Sequence, residues 1–119
     1  MTRLDELVRI AEVEFAAVIT GVQVLEPKRR IFLSDGSFID VWLSIRFPDR
    51  FGFHWERRHL DGRLFRYDNF PDPAWNTVAT FPFHFHDGSE DHVVPAPFPV
   101  GVPDGFRAFM AFIAARILR

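Results

Sequence analysis

Phe51, Phe53 and Trp55 alternate with Gly52, His54 and Glu56, and this two-residue period constrains the chain more than any other feature. Successive side chains of a strand point to opposite faces, so one face of this segment is built for burial and the other for polar surroundings. Asp-Gly pairs set the connections. Asp35-Gly36, within residues 34–37, separates a β-rich run at residues 30–33 from another at 38–47. Asp61-Gly62 does the same between the Phe51 segment and residues 64–68, and Asp-Gly between apolar runs signals a hairpin. Residues 22–26, closed by Pro27, form a further short strand candidate, and a Pro71-Asp72-Pro73 loop leads to another at residues 77–86. Consecutive elements joined this closely lie side by side, which gives an antiparallel β-meander of about five strands.

Helical periodicity appears only at the two ends. Leu4, Leu7, Val8, Ala11, Phe15 and Val18 recur on one face, with Thr2 and Asp5 placed as a capping box and Gly21 placed to stop the helix. Near the other end Asp104 is the expected cap of a helix whose stripe is Phe106, Phe109, Met110, Ile113 and Ile117, widened by Phe112 and Leu118. Seven of the nine prolines follow Asn69 and four lie within residues 95–103, so that stretch is expected to cross the molecule without ladder hydrogen bonds. The expected fold is α+β, one domain over residues 1–119, with the N-terminal and C-terminal helices packed on one face of the sheet.

A chain of 119 residues buries roughly two thirds of its unfolded surface, and fifteen Phe with three Trp supply the core. Trp42 and Trp55 lie within strand patterns and read as core; Trp75, in a proline-bounded loop, reads as exposed. The absence of cysteine excludes disulfides, thiolate zinc sites and cysteine nucleophiles together. Asp5 and Glu6 interrupt any signal-peptide run and no stretch approaches about eighteen apolar residues, so a cytoplasmic protein with no membrane contact is expected. Net charge is −2, yet residues 28–66 carry nine basic and five acidic side chains, a local excess of +4. Thirteen of the fourteen basic residues are Arg, a type suited to bidentate phosphate contacts.

Strand alternation also sorts the polar groups. Arg66 and Asp68 oppose Phe65 and Tyr67, and His84 and His86 oppose Phe83 and Phe85. If the aromatics face the helices, Arg66, Asp68, His84, His86 and His54 share the open face, provided strand register aligns them. Imidazoles titrate near neutrality, an Arg can hold phosphate and an Asp can orient an imidazole. Metal-independent RNA cleavage needs such parts and no cofactor. In that reading His84 and His86 are acid and base, Arg66 binds phosphate and Asp68 orients a histidine. A polar sheet face carries His, Arg and Asp for ordinary reasons as well, and an Arg-Asp pair often only braces strands. His84-Phe85-His86 also suits a metal, with Asp87, Asp91 or His92 as further ligands, although none has a fixed ligand spacing; no metal is assigned on sequence grounds. Arg57, Arg58 and His59 flank the second hairpin turn and read first as a soluble tip, with nucleic-acid contact secondary.

The ordered blocks at residues 31–37, 51–55, 61–69 and 80–86 resemble those of TumE-type toxin proteins over residues 20–118. The most specific are Phe65-Arg66-Tyr67-Asp68-Asn69 and Phe81-Pro82-Phe83-His84-Phe85-His86. The resemblance implies a toxin component of a prokaryotic toxin-antitoxin system, neutralised by direct binding of a helix-turn-helix antitoxin protein. By motif position it carries over Arg66, Asp68, Asn69, His84 and His86. RNA as target rests on the residue reading and on analogy with other small toxins. His54, Asn69, Arg57 and Arg58 are the expected substrate-binding residues, a homodimer stays open, and the alternative is a non-enzymatic interaction or metal-binding module. Two departures stand out. Phe70-Pro71-Asp72-Pro73 replaces the family's Pro-His-His after Asp-Asn, and Phe51, Phe53 and Trp55 replace its Tyr-rich strand.

Overall fold

The computed structural model describes residues 1–119. Seven strands form one antiparallel sheet in sequence order: β1 (Ile19–Leu25), β2 (Lys28–Leu33), β3 (Phe38–Leu43), β4 (Phe51–Arg57), β5 (Arg63–Asp68), β6 (His84–Gly88) and β7 (Val93–Pro95). Helices α1 (Arg3–Glu14) and α3 (Asp104–Ile117) lie at the ends of the chain, and the single-turn α2 (Arg58–Asp61) joins β4 to β5. The architecture is the expected α+β meander, but with seven strands in place of about five.

β7 is the strand that was not expected, while β1 is the expected strand at residues 22–26 begun three residues earlier. Gly21 does not stop α1; Thr2 and Asp5 do cap it as a box, but it ends at Glu14, and Gly21 lies inside β1 at a register shift opposite β2. Proline density hid β7, yet Val93–Pro95 pairs with residues 84–86 as a short edge strand, where a missing N–H at the last residue costs nothing. Residues 77–83, expected in a strand, instead form successive turns closed by Val78 N–H to Trp75 O (3.0 Å), Phe81 N–H to Val78 O (2.9 Å) and Phe83 N–H to Thr80 O (2.9 Å). Pro103, not Asp104, precedes α3, and no side chain caps that helix.

One sheet face carries the core. Ile31, Ile39, Val41, Phe51, Phe53, Trp55, Phe65, Tyr67 and Phe85 point into it and meet Leu7, Val8 and Ala11 of α1 and Phe106, Phe109, Met110 and Ile113 of α3. The rings interlock edge to face, as in Phe53 on Phe106 at 5.2 Å and Phe65 on Phe112 at 5.4 Å between centroids. The Tyr67 hydroxyl donates to Pro99 O (3.0 Å), and burial pushes its pKa up to about 12. Gly105 permits this packing: a Cβ there would lie 2.9 Å from Pro99 O and 3.1 Å from Tyr67 Cε2. Trp55 is core as expected, donating its indole N–H to Ser37 Oγ (2.8 Å). Trp42 is not: it lies on the other face, stacked on Phe70 at 5.3 Å.

The second face is left without helices, and the register makes two rows across it. Arg30, Asp40, His54, Arg66 and His86 are consecutive cross-strand partners, and beside them run Trp42, Gly52, Asp68 and His84. Directly opposed side chains in an antiparallel sheet are nearest neighbours. The alternation that buries the aromatics therefore gathers Arg66, Asp68, His84 and His86 at one corner.

Candidate active site

His84 and His86 stand two residues apart on β6 with Asp68 beside them on β5, and all three are at least 95% buried. One ligand atom from each lies within 4.8 Å of the others. His84 Nδ1 is 3.0 Å from Pro82 O, and His86 Nδ1 is 2.9 Å from Glu90 O. A carbonyl only accepts, so each Nδ1 carries its hydrogen and each Nε2 is turned the other way. His84 Nε2 faces Asp68 Oδ1 at 3.2 Å, and His86 Nε2 faces Oδ2 at 4.0 Å, beyond hydrogen-bond length. Asp68 Oδ1 also accepts the Phe70 N–H (3.0 Å), which fixes the carboxylate.

The two imidazoles are pushed in opposite directions. Burial pulls the His84 pKa down, but hydrogen bonding to Asp68, the charge of Asp68 and the Pro82 carbonyl outweigh it, so the pKa sits above 6.5. His86 is held below 6.5 by burial first and by the positive charges of Arg66 and His84, against the Glu90 carbonyl and Asp68. His84 thus favours its proton and His86 favours a bare Nε2. Paired groups separated in this way are suited to acid and base roles.

Arg66 lies directly across from His86. Its Nε–H donates to His54 Nδ1 (3.0 Å), and its terminal nitrogen pairs with Glu90 Oε1 (2.8 Å). His54 Nε2 donates to Glu56 Oε1 (3.1 Å), and burial lowers its pKa despite Glu56. An open cleft of about 560 Å³ fronts the two histidines, lined also by Arg66, Phe70, Pro71, Asp72, Trp75 and Glu90. Trp75 covers the imidazoles, its ring 5.8 Å from that of His86 and perpendicular to it. A one-turn helix at Pro73–Trp75 positions it, capped by Asp72 Oδ1 accepting from Ala74 N–H (2.9 Å).

The structure brings together Arg66, Asp68, His84, His86 and His54. It places the other expected binding residues elsewhere. Asn69 spends its amide on the Phe51 N–H (2.9 Å) and Asp49 O (2.7 Å), tying β4 to the end of β5. Arg57 pairs with Asp35 (2.7 Å) and Asp61 (2.8 Å), and Arg58 with Glu56 (2.7 Å). The third group beside His84 and His86 is Asp68, not Asp87, Asp91 or His92. Glu90 carries no motif signal in the sequence; its role comes from the tight β6–β7 connection, which puts both its carbonyl and its carboxylate at the site.

No helix is long and apolar enough to cross a membrane. A family model described as Toxin TumE matches residues 3–117. No curated protein and no solved structure matches the chain.

Proposed function

The chain belongs to the Toxin TumE family, and on that premise we propose that it is the toxin of a type II toxin-antitoxin pair and cleaves RNA in the cleft at His84 and His86, without needing a metal. The observation that carries the reading is the fixing of both imidazoles through Nδ1, so that two Nε2 atoms meet beside one carboxylate with a guanidinium on the adjoining strand. His86 Nε2 takes the proton of a ribose 2′-hydroxyl as its oxygen bonds to the adjacent phosphorus. The bond from phosphorus to the 5′-oxygen breaks, and His84 Nε2–H delivers a proton to that leaving oxygen. The products are a 2′,3′-cyclic phosphate and a free 5′-hydroxyl.

Arg66 stabilises the charge on the non-bridging oxygens. For this it must leave Glu90, and a partly exposed ion pair of that kind is worth only about 0–1 kcal/mol, so a phosphate can displace it. Asp68 holds His84, and His54 holds Arg66 by its Nε while leaving the rest of the fork free. Asn69, Arg57 and Arg58 keep their structural partners in this reading. A helix-turn-helix antitoxin bound in the cytoplasm keeps the toxin silent.

Expression without the antitoxin should arrest growth and release RNA fragments with cyclic phosphate ends. His84→Ala, His86→Ala and Arg66→Ala should each remove both effects while the proteins stay folded by circular dichroism. Arrest that persists in all three folded variants, or purified protein that leaves RNA intact, rules the nuclease out in favour of a toxin that acts by binding.

A further inference from the structure

The Nδ1 anchors and the shared carboxylate that serve the acid-base reading also meet the needs of a second chemistry at the same atoms. Here two neighbouring imidazoles are both anchored by Nδ1–H to backbone carbonyls, and both turn Nε2 toward the same buried carboxylate. Metal-ligating histidines are held in just this way, with the second ring nitrogen fixed by a carbonyl or carboxylate. His86 adds an independent observation: as a residue it is only 4% exposed, yet its Nε2, 4.0 Å from Asp68 Oδ2 and without a hydrogen-bond partner within the protein, stays open to the cleft.

We infer that Asp68, His84 and His86 form a binding site for one divalent transition cation of the zinc type, through His84 Nε2, His86 Nε2 and the Asp68 carboxylate. Zinc at about 2.0–2.1 Å from nitrogen and about 2.0–2.2 Å from oxygen puts its ligand atoms about 3.3–3.5 Å apart in a tetrahedral shell. The spacings of 3.2 Å and 4.0 Å to Asp68 bracket that value. Two imidazoles and one carboxylate favour zinc, iron(II) or nickel over the oxygen-loving magnesium and calcium. The remaining position opens on the cleft, where Asp72 and Glu90 outnumber Arg66 as charged groups. The site stands whether or not RNA is the substrate, because it depends on ligand atoms and not on turnover.

The test uses the full chain stripped with a chelator and titrated with zinc chloride, read by calorimetry and by elemental analysis after desalting. One zinc per chain is expected, with a rise in the melting temperature of the loaded protein. His84→Ala and His86→Ala should weaken uptake by more than the roughly 10–100-fold that losing a supporting hydrogen bond costs. Asp68→Asn keeps an acceptor for the Phe70 N–H and should also weaken it, whereas His59→Ala and His92→Ala should bind as the parent does. If an alanine variant fails to fold, His86→Gln replaces it. No saturable uptake by the parent, or uptake that survives in the folded His84 and His86 variants, overturns the assignment. RNA cleavage by the stripped protein is scored separately, so failure of the nuclease reading and failure of the metal site give different results.

Discussion

Arg66 donates its Nε–H to Nδ1 of His54 across the β4–β5 pair at 3.0 Å. The bond exists only while Nδ1 of His54 carries no proton, and burial, which lowers the His54 pKa, keeps it so. Behind His54 the chain continues through Glu56 to Arg58, and in front of it Arg66 reaches Glu90. A line of five side chains therefore crosses the open face from a hairpin helix to the β6–β7 tip, and only its Glu90 end opens into the cleft with Arg66.

Release of that end should strengthen substrate binding. Glu90→Gln retains the backbone carbonyl that fixes His86 but removes the charge that holds Arg66. The lost pair is worth about 0–1 kcal/mol, so KM for RNA is expected to fall by up to about fivefold, with kcat little changed. Steady-state kinetics on a short RNA check it, and a raised KM would show that Glu90 orients Arg66 instead of restraining it.

The opposed displacements of His84 and His86 set the pH dependence of cleavage. His86 is the base and its pKa lies below 6.5, so activity rises as pH climbs through that lower value. His84 is the acid and its pKa lies above 6.5, so activity falls as pH passes the higher one. The kcat/KM profile of the metal-free protein should be a plateau with limbs on either side of pH 6.5. A single limb, or a maximum far from that value, contradicts the assignment of both roles.

Glu56 gives a separate effect, on stability. Hydrogen bonds from Arg58 outweigh partial burial, and with help from His54 they lower its pKa from 4.5 to about 2. The folded value is depressed, so the stabilisation is complete above pH 4.5 and is lost as pH falls from there through about 2. Urea unfolding between pH 5 and pH 2 should show a shallower loss for Glu56→Gln than for the parent. Parallel curves would mean that the carboxylate gains nothing from Arg58 and His54.

Gly105→Ala tests the packing behind the site. The added methyl meets Pro99 O at 2.9 Å and Tyr67 Cε2 at 3.1 Å, one of them backbone and the other a fully buried ring. Overpacking of this kind costs about 1–3 kcal/mol. A thermal melt should show a clear drop, and an unchanged melting temperature would mean that the crossover strap yields freely.

Much of this was legible in the sequence because period-2 patterning is a local property. Phe51, Phe53 and Trp55 declare their face without reference to any partner, and Asp35-Gly36 and Asp61-Gly62 declare the hairpins, where Gly36 and Gly62 adopt φ of 90° and 79°. Register is not local. That Arg66 opposes His86 and Asp68 opposes His84 depends on the connection through residues 69–83. β7 is obscured in the same way: Pro95 and its neighbours argue locally against a ladder, whereas the pairing depends on the reach of β6. Trp42 lies in a strand pattern that suggests core, while its alternation with Val41 assigns it to the other face.

Zinc should suppress cleavage where it binds. The acid needs a proton on His84 Nε2 and the base needs the lone pair of His86 Nε2, and a cation held by both nitrogens removes the two at once. Cleavage by the chelator-stripped protein should therefore fall in step with zinc occupancy and return when the chelator is added back. Magnesium at the same concentration should leave the rate unchanged, since it prefers oxygen ligands and keeps its waters. Zinc that accelerates cleavage would reverse the roles: the triad would be a metal centre that activates water, and metal-free acid-base catalysis by His84 and His86 would not be the mechanism.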